Sequence, residues 1–233
     1  MSVTPVEDLV RPMPWSGRDP EPLLTHEWLV TNGLGGYASG TVAGVSTRRY
    51  HGLLVAALPD PHGRTVVFNH LFEHLHLSDG TNIQLGSEER AGERLELAVA
   101  RILQGFQLET GLPVWRYQVG DVLLEKRLLL PHRQNTVHIT YRLLAGNGSV
   151  RIRLRPSVHF RRHEAAVNDA LGSYVLTTYD SRYEVAKHSS ELPPLRLHLH
   201  GQQAMFTVDA KEISQVVYRV EESRGYEYSG SLW

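Results

Sequence analysis

The chain has 233 residues, with 24 Lys plus Arg against 25 Asp plus Glu, 41% hydrophobic residues and no cysteine. This is an ordinary globular composition, and the chain is long enough for one sizeable core or two small ones. It excludes disulfides and cysteine-held metals, and a net charge near zero excludes a global field that would draw in nucleic acid or an anionic membrane.

The opening residues, MSVTPVEDLVRPMPW, are acidic and proline-rich and contain no signal-peptide core. No stretch reaches the ~18 consecutive apolar residues of a transmembrane helix, so the default location is the cytoplasm. Residues 1–22 read as an N-terminal arm and 23–233 as a single domain. Glu27 to Thr31 is the first strand, and Gly33 to Ala38 is a glycine-rich turn. Arg64 to Leu77, β-branched and aromatic, is a further strand. Short helical turns are expected near Ser87 to Leu97 and His163 to Leu171. Val114 to Gln118 and Val122 to Leu130 flank Gly120-Asp121 as a hairpin, and Leu128-Leu129-Leu130 is apolar on both faces, which places that strand centrally. Thr136 to Leu143 alternates strictly, and after Ala145-Gly146-Asn147-Gly148 the alternation returns from Val150 to Phe160, which predicts a second hairpin. Ser173 to Thr178, Leu195 to His200 and Ala204 to Asp209 continue the series. Period two between Gly and Pro punctuation predicts an all-β chain, a large antiparallel β-sandwich of the supersandwich kind with few short helices.

Most of the tempting motifs fail on their own physics. Gly33-Leu34-Gly35-Gly36-Tyr37-Ala38 fits G-x-G-x-x-A, but Ser39-Gly40-Thr41 and Gly44 break the helix that a dinucleotide site requires. His70-Leu71-Phe72-Glu73-His74 reads H-x-x-E-H, followed by His76. On a strand, His70, Phe72, His74 and His76 share one face and Glu73 takes the other, so no helical metal-binding face forms. Arg151, Arg153 and Arg155, with Arg161 and Arg162, form one local basic stripe without interleaved aromatics, which reads as a solvated face rather than a nucleic-acid site. No metal and no cofactor is implied.

Glu27 to Leu58, EWLVTNGLGGYASGTVAGVSTRRYHGLLVAAL, is unusual in its glycines and in Thr47-Arg48-Arg49-Tyr50-His51-Gly52. It resembles, nearly letter for letter, the N-terminal domain of bacterial and archaeal glycogen debranching enzymes. Pro113-Val114-Trp115-Arg116-Tyr117 with Glu125-Lys126-Arg127, Asn135 to Leu143, and Glu222-Ser223-Arg224-Gly225-Tyr226 before Leu232-Trp233 are similar to that family in the same order. The resemblance implies a β-sandwich placed before an (α/α)6 barrel that carries the amylo-α-1,6-glucosidase chemistry. It implies that this chain stops where the linker to such a barrel starts, with the barrel and an α-glucan such as glycogen or a maltooligosaccharide as partners. The catalytic acid and base then lie on the barrel, and no catalytic residue is assigned here.

A glucan is neutral and amphipathic, and its recognition needs forked donors, acceptors and an aromatic plate. Trp28, Asn32, Tyr37, Arg48, Arg49, Tyr50 and His51 supply those groups, and Gly33, Gly35 and Gly36 allow close backbone approach. These ten residues form the candidate substrate-binding or domain-interface set. Two other readings stay open: a stand-alone, mutarotase-like sugar enzyme using a His and a carboxylate, and a purely structural or oligomerisation sandwich.

Overall fold

The computed structural model describes residues 9–15, 17, 19–180 and 182–233. The first half of the chain runs β1 (Val10–Pro12), α1 (Glu21–Thr25), β2 (Glu27–Thr31), β3 (Tyr37–Thr41), β4 (Gly52–Ala57), β5 (Arg64–Phe68), β6 (His70–Leu77), β7 (Asn82–Gln84), α2 (Val99–Ile102), β8 (Leu103–Glu109) and β9 (Leu112–Val119). The second half runs β10 (Val122–Leu129), β11 (His138–Ala145), β12 (Val150–Ser157), β13 (Arg161–Arg162), β14 (Tyr174–Tyr179), β15 (Arg182–Lys187), β16 (Leu195–His198), β17 (Ile213–Val217), α3 (Arg219–Ser223) and β18 (Ser229–Leu232). The fold is all-β and sandwich-like, and its helices are too short to form a layer of their own.

Two five-stranded antiparallel sheets dominate, in the orders β1-β8-β9-β10-β11 and β13-β5-β4-β3-β2. Trp28 on β2 meets Trp115 on β9 edge to face at 5.5 Å, and Phe106 on β8 packs on Trp115 at 5.1 Å, which knits the inner faces together. Each such buried side chain contributes on the order of 2–3 kcal/mol. Both indoles donate their N–H inwards, Trp28 to the Thr41 carbonyl at 3.2 Å and Trp115 to the Val42 carbonyl at 3.0 Å. The sandwich therefore fixes the loop that follows β3.

β5 and β6 are one long strand bent at Asn69, with β12 and β13 bent alongside it. Asn69 repairs the ladder at the bend: its N–H donates to the Ser157 carbonyl at 3.1 Å, and its Oδ1 accepts the His159 N–H at 2.6 Å. A third sheet, β14-β15-β16, and the ribbon β17-β18 complete the described chain. Trp233 exchanges both main-chain bonds with Val158 at 2.8 and 2.9 Å, and its ring stacks on Tyr174 at 5.3 Å.

The hairpin expected around Gly120-Asp121 is present as β9–β10. The one expected around Gly146 is not. β11 pairs with β10 and β12 pairs with β6, so the turn carries the chain from one sheet to another. Alternation prescribes which face of a strand is buried, not which strand it joins. Leu128 is 1% exposed but Leu129 is 37% exposed, so β10 is not covered on both faces. Residues 204–209 form no strand, with Met205 81% and Val208 67% exposed. No helix forms over 87–97 or 163–171, and the nearby α2 begins at Val99. Of the stretch expected as an arm, residues 1–8, 16 and 18 lie outside the described residues, while Val10–Pro12 pairs with β8 and α1 starts at Glu21. Among the described residues, no helix is long and apolar enough to cross a membrane.

Candidate functional site

The β2–β3 turn is built around Asn32, which is fully buried. Its Oδ1 accepts the N–H groups of Leu34 and Gly36 at 2.9 and 3.0 Å, and its Nδ2 donates to the Gln134 carbonyl at 2.9 Å and Asn135 Oδ1 at 3.1 Å. Its side chain is consumed by the protein's own groups, which makes Asn32 a fixture of the loop. Gly33 sits at φ +77°, and a Cβ there would stand 2.6 Å from the His132 ring. At Gly36 a Cβ would stand 2.8 Å from the Val55 carbonyl. These two glycines serve close packing inside the protein. Gly35 is held by Arg64, whose Nε donates to its carbonyl at 2.7 Å. Trp28, 5% exposed, belongs to the core.

The second part is the loop between β3 and β4. His51 is 3% exposed, and its Nδ1 accepts the Thr47 N–H at 3.1 Å, so the imidazole proton sits on Nε2, 3.5 Å from Glu27. Arg48 Nε donates to the same Glu27 oxygen at 2.5 Å. Hydrogen bonding from His51, then from Arg48, holds the Glu27 carboxyl down to about 2 against its partial burial. Glu27 therefore stays ionised at neutral pH and is a poor proton donor.

Arg49 is the centre of the arrangement. Glu221 on α3, fully buried, accepts the Arg49 main-chain N–H through Oε1 at 3.1 Å and stands 3.0 Å from its Nε through Oε2. The guanidinium lies over the Tyr226 ring at 4.4 Å and beside the Tyr50 ring at 5.4 Å. His163 continues the row, 5.7 Å from Tyr50 and 6.4 Å from Tyr37. Tyr37 is half-buried, its hydroxyl donates to the Tyr50 carbonyl at 3.1 Å, and burial raises that hydroxyl to about 12. Beneath the row, Arg161 donates to the carbonyls of Arg49, Arg162, His163 and Ala165. Arg161 is 4% exposed and burial lowers its pKa, so it is a buried loop clamp and not part of the solvated basic stripe.

The ten sequence-chosen residues thus divide. Trp28, Asn32, Gly33, Gly36 and His51 build the frame, whereas Tyr37, Arg48, Arg49 and Tyr50 reach its surface beside Gly35. Tyr226, 53% exposed, and the buried pair Glu221 and Arg161 complete the site. Glu221 is not singled out in the sequence, and Arg161 reads there only as part of the basic stripe. Tyr226 is singled out, as the end of the Glu222 to Tyr226 signature, but its meeting with Arg49 is a product of folding. Among the described residues the Tyr50 and Tyr226 hydroxyls and the Nη atoms of Arg48 have no protein partner, so planar faces and free donors lie together, a combination suited to a sugar.

The H-x-x-E-H run lies on β6. Glu73 points away from the histidines into the sandwich, where Lys126 Nζ donates to it at 2.7 Å and Tyr141 donates from the other side. Burial pushes His70 down to about 3. His74 and His76 thus share the strand face opposite Glu73, as alternation requires, whereas the buried His70 also feels the charge of Lys126, the partner of Glu73.

A protein-family model described as "Glycogen debranching enzyme N terminal" matches residues 26–233. No curated protein and no solved structure matches the chain.

Proposed function

Because the chain belongs to the family of glycogen debranching enzyme N-terminal domains, we propose that it is the sugar-facing, non-catalytic domain of such an enzyme. Its contact surface is the row Tyr226–Arg49–Tyr50–His163. The observation that carries this is the Arg49 guanidinium, neutralised by buried Glu221 and held against two tyrosine rings. A neutralised, oriented guanidinium suits an uncharged polyol better than an anion, and the rings offer plates for the apolar faces of pyranose units. Arg48 adds free donors for hydroxyl pairs. The two carboxylates inside the frame, Glu27 and Glu221, are held by Arg48 and Arg49, and the reading leaves hydrolysis of the α-1,6 bond to another part of the enzyme.

The test is a calorimetric titration with maltooligosaccharides and a branched glucan. Saturable binding weakened at least ~10-fold in Arg49→Ala and in Tyr226→Ala supports the reading. Affinity unchanged in both variants refutes it. Leu29, 59% exposed on β2, and Leu34, 43% exposed in the adjoining turn, favour a second reading in which this end also docks on the barrel of the parent enzyme. That reading predicts that Leu29→Ser weakens domain association without changing glucan affinity.

A further inference from the structure

We propose a second saccharide-binding site in a cleft of about 740 Å³ with Trp15, Gly17 and Pro20 on one side and residues from 94 to 103 on the other. Taking its ligand to be an α-glucan rests on the function proposed above, but its residues are all different. The volume is that of a small-ligand site. Along one wall the exposure alternates: Arg94 and Glu96 are exposed, Leu95 and Leu97 half-buried, which lays an apolar floor under a polar rim. Trp15, half-buried, supplies an aromatic plate, and Arg101 on α2 supplies a second fork. Among the described residues the side chains of Arg94, Glu96 and Arg101 have no hydrogen-bond or ion-pair partner, so both donors and an acceptor remain free for ligand hydroxyls.

The Met13 N–H donates to the Phe106 carbonyl on β8 at 2.8 Å, which ties the Trp15 side to the sandwich, and Ser87 Oγ donates to the Glu96 carbonyl at 2.9 Å, which joins the other wall to the loop after β7. Trp15, Leu95 and Leu97 also pack against the hydrophobic core. An indole face, an aliphatic floor and mixed-sign polar groups fit a neutral, amphipathic oligosaccharide.

The test is calorimetry of the full chain with maltoheptaose, comparing the wild type with Arg49→Ala, Trp15→Ala, Arg101→Ala and the double variant Arg49→Ala/Trp15→Ala. The proposal expects Arg49→Ala to retain a saturable component. Trp15→Ala should weaken that component about tenfold, the size of one lost aromatic contact, and Arg101→Ala should weaken it as well. Arg101 is exposed, so its replacement separates loss of the site from loss of the fold. Identical residual binding in Arg49→Ala and the double variant overturns the cleft. So does loss of all binding in Arg49→Ala, which leaves the Tyr226–Arg49 site standing. Full binding in Arg49→Ala that Trp15→Ala abolishes overturns that site and leaves the cleft. Arg101-dependent binding of inorganic phosphate without maltoheptaose makes the cleft an anion site and refutes the saccharide assignment.

Discussion

Replacing Glu221 by Ala removes the only carboxylate that holds Arg49 among the described residues. The Glu221 side chain is 1% exposed and that of Arg49 is 16% exposed, so the pair lies largely out of water. The substitution leaves a guanidinium without its counter-charge and the Arg49 N–H without its 3.1 Å acceptor. Breaking a buried pair from one side costs about 3–5 kcal/mol, and an orphaned amide alone costs about 1–3 kcal/mol. The two overlap, because Arg49 can turn towards water, so a loss of about 3 kcal/mol is expected. For a chain of this size that lowers Tm by about 6–12 °C. Glu221→Gln keeps an acceptor for the amide and should lose about half as much. Arg49→Ala combined with Glu221→Ala should be less destabilised than the sum of the single variants by about 1–3 kcal/mol, since the double variant has no unpaired charge. Urea unfolding with unchanged m-values and scanning calorimetry read these numbers. A Tm for Glu221→Ala within ~2 °C of wild type would show that the contact has no energetic weight and that Arg49 is not held by it.

Three further outcomes follow from the same kind of reasoning. Lys126→Met leaves the Glu73 carboxylate, 4% exposed, without its 2.7 Å partner in the core, and should destabilise by about 3 kcal/mol in urea; Lys126→Met with Glu73→Leu should recover much of that loss. His70, held at about 3 against 6.5 in the unfolded chain, binds its proton more readily when unfolded, so it costs stability as pH falls through 6.5 towards 3; His70→Leu should flatten the urea midpoint over that window, and an unchanged slope would refute the burial of a neutral imidazole. Gly36→Ala drives a Cβ to 2.8 Å from the Val55 carbonyl and should cost about 1–3 kcal/mol by calorimetry, with the β2–β3 turn shifted in the proton–nitrogen spectrum.

Strand periodicity was legible along most of the chain. β2, β9, β10, β14 and β16 lie where alternation puts them, and the two-residue turn at Gly120-Asp121 closes the expected hairpin. The family signature at residues 27–58 was legible too, and the match over residues 26–233 agrees with it. These are local properties: a pleated strand with one buried face must alternate, and a tight turn needs its own residues. The pairing of β11 with β10 and β12 with β6 was not legible, because every amphipathic strand offers the same backbone ladder to any partner. The strand pattern over 204–209 found no partner strand: Met205 and Val208 stayed in water, and Phe206 stacks on Tyr183 instead of joining a sheet.

At the site, sequence chose the loop but not the roles within it. Asn32 and His51 looked like ligand groups and turned out to be frame, because each is buried where neighbouring main-chain groups need a partner. Arg161 looked like one charge of a surface stripe and is instead buried under four carbonyls. Arg49 meets Glu221 across 172 residues. The sequence by itself determined the class of fold, the faces of its strands and the segment that matters. The tertiary structure alone decided which polar groups are desolvated and satisfied within the protein and which remain free for a ligand, because desolvation depends on everything packed around a group and not on its neighbours in the chain.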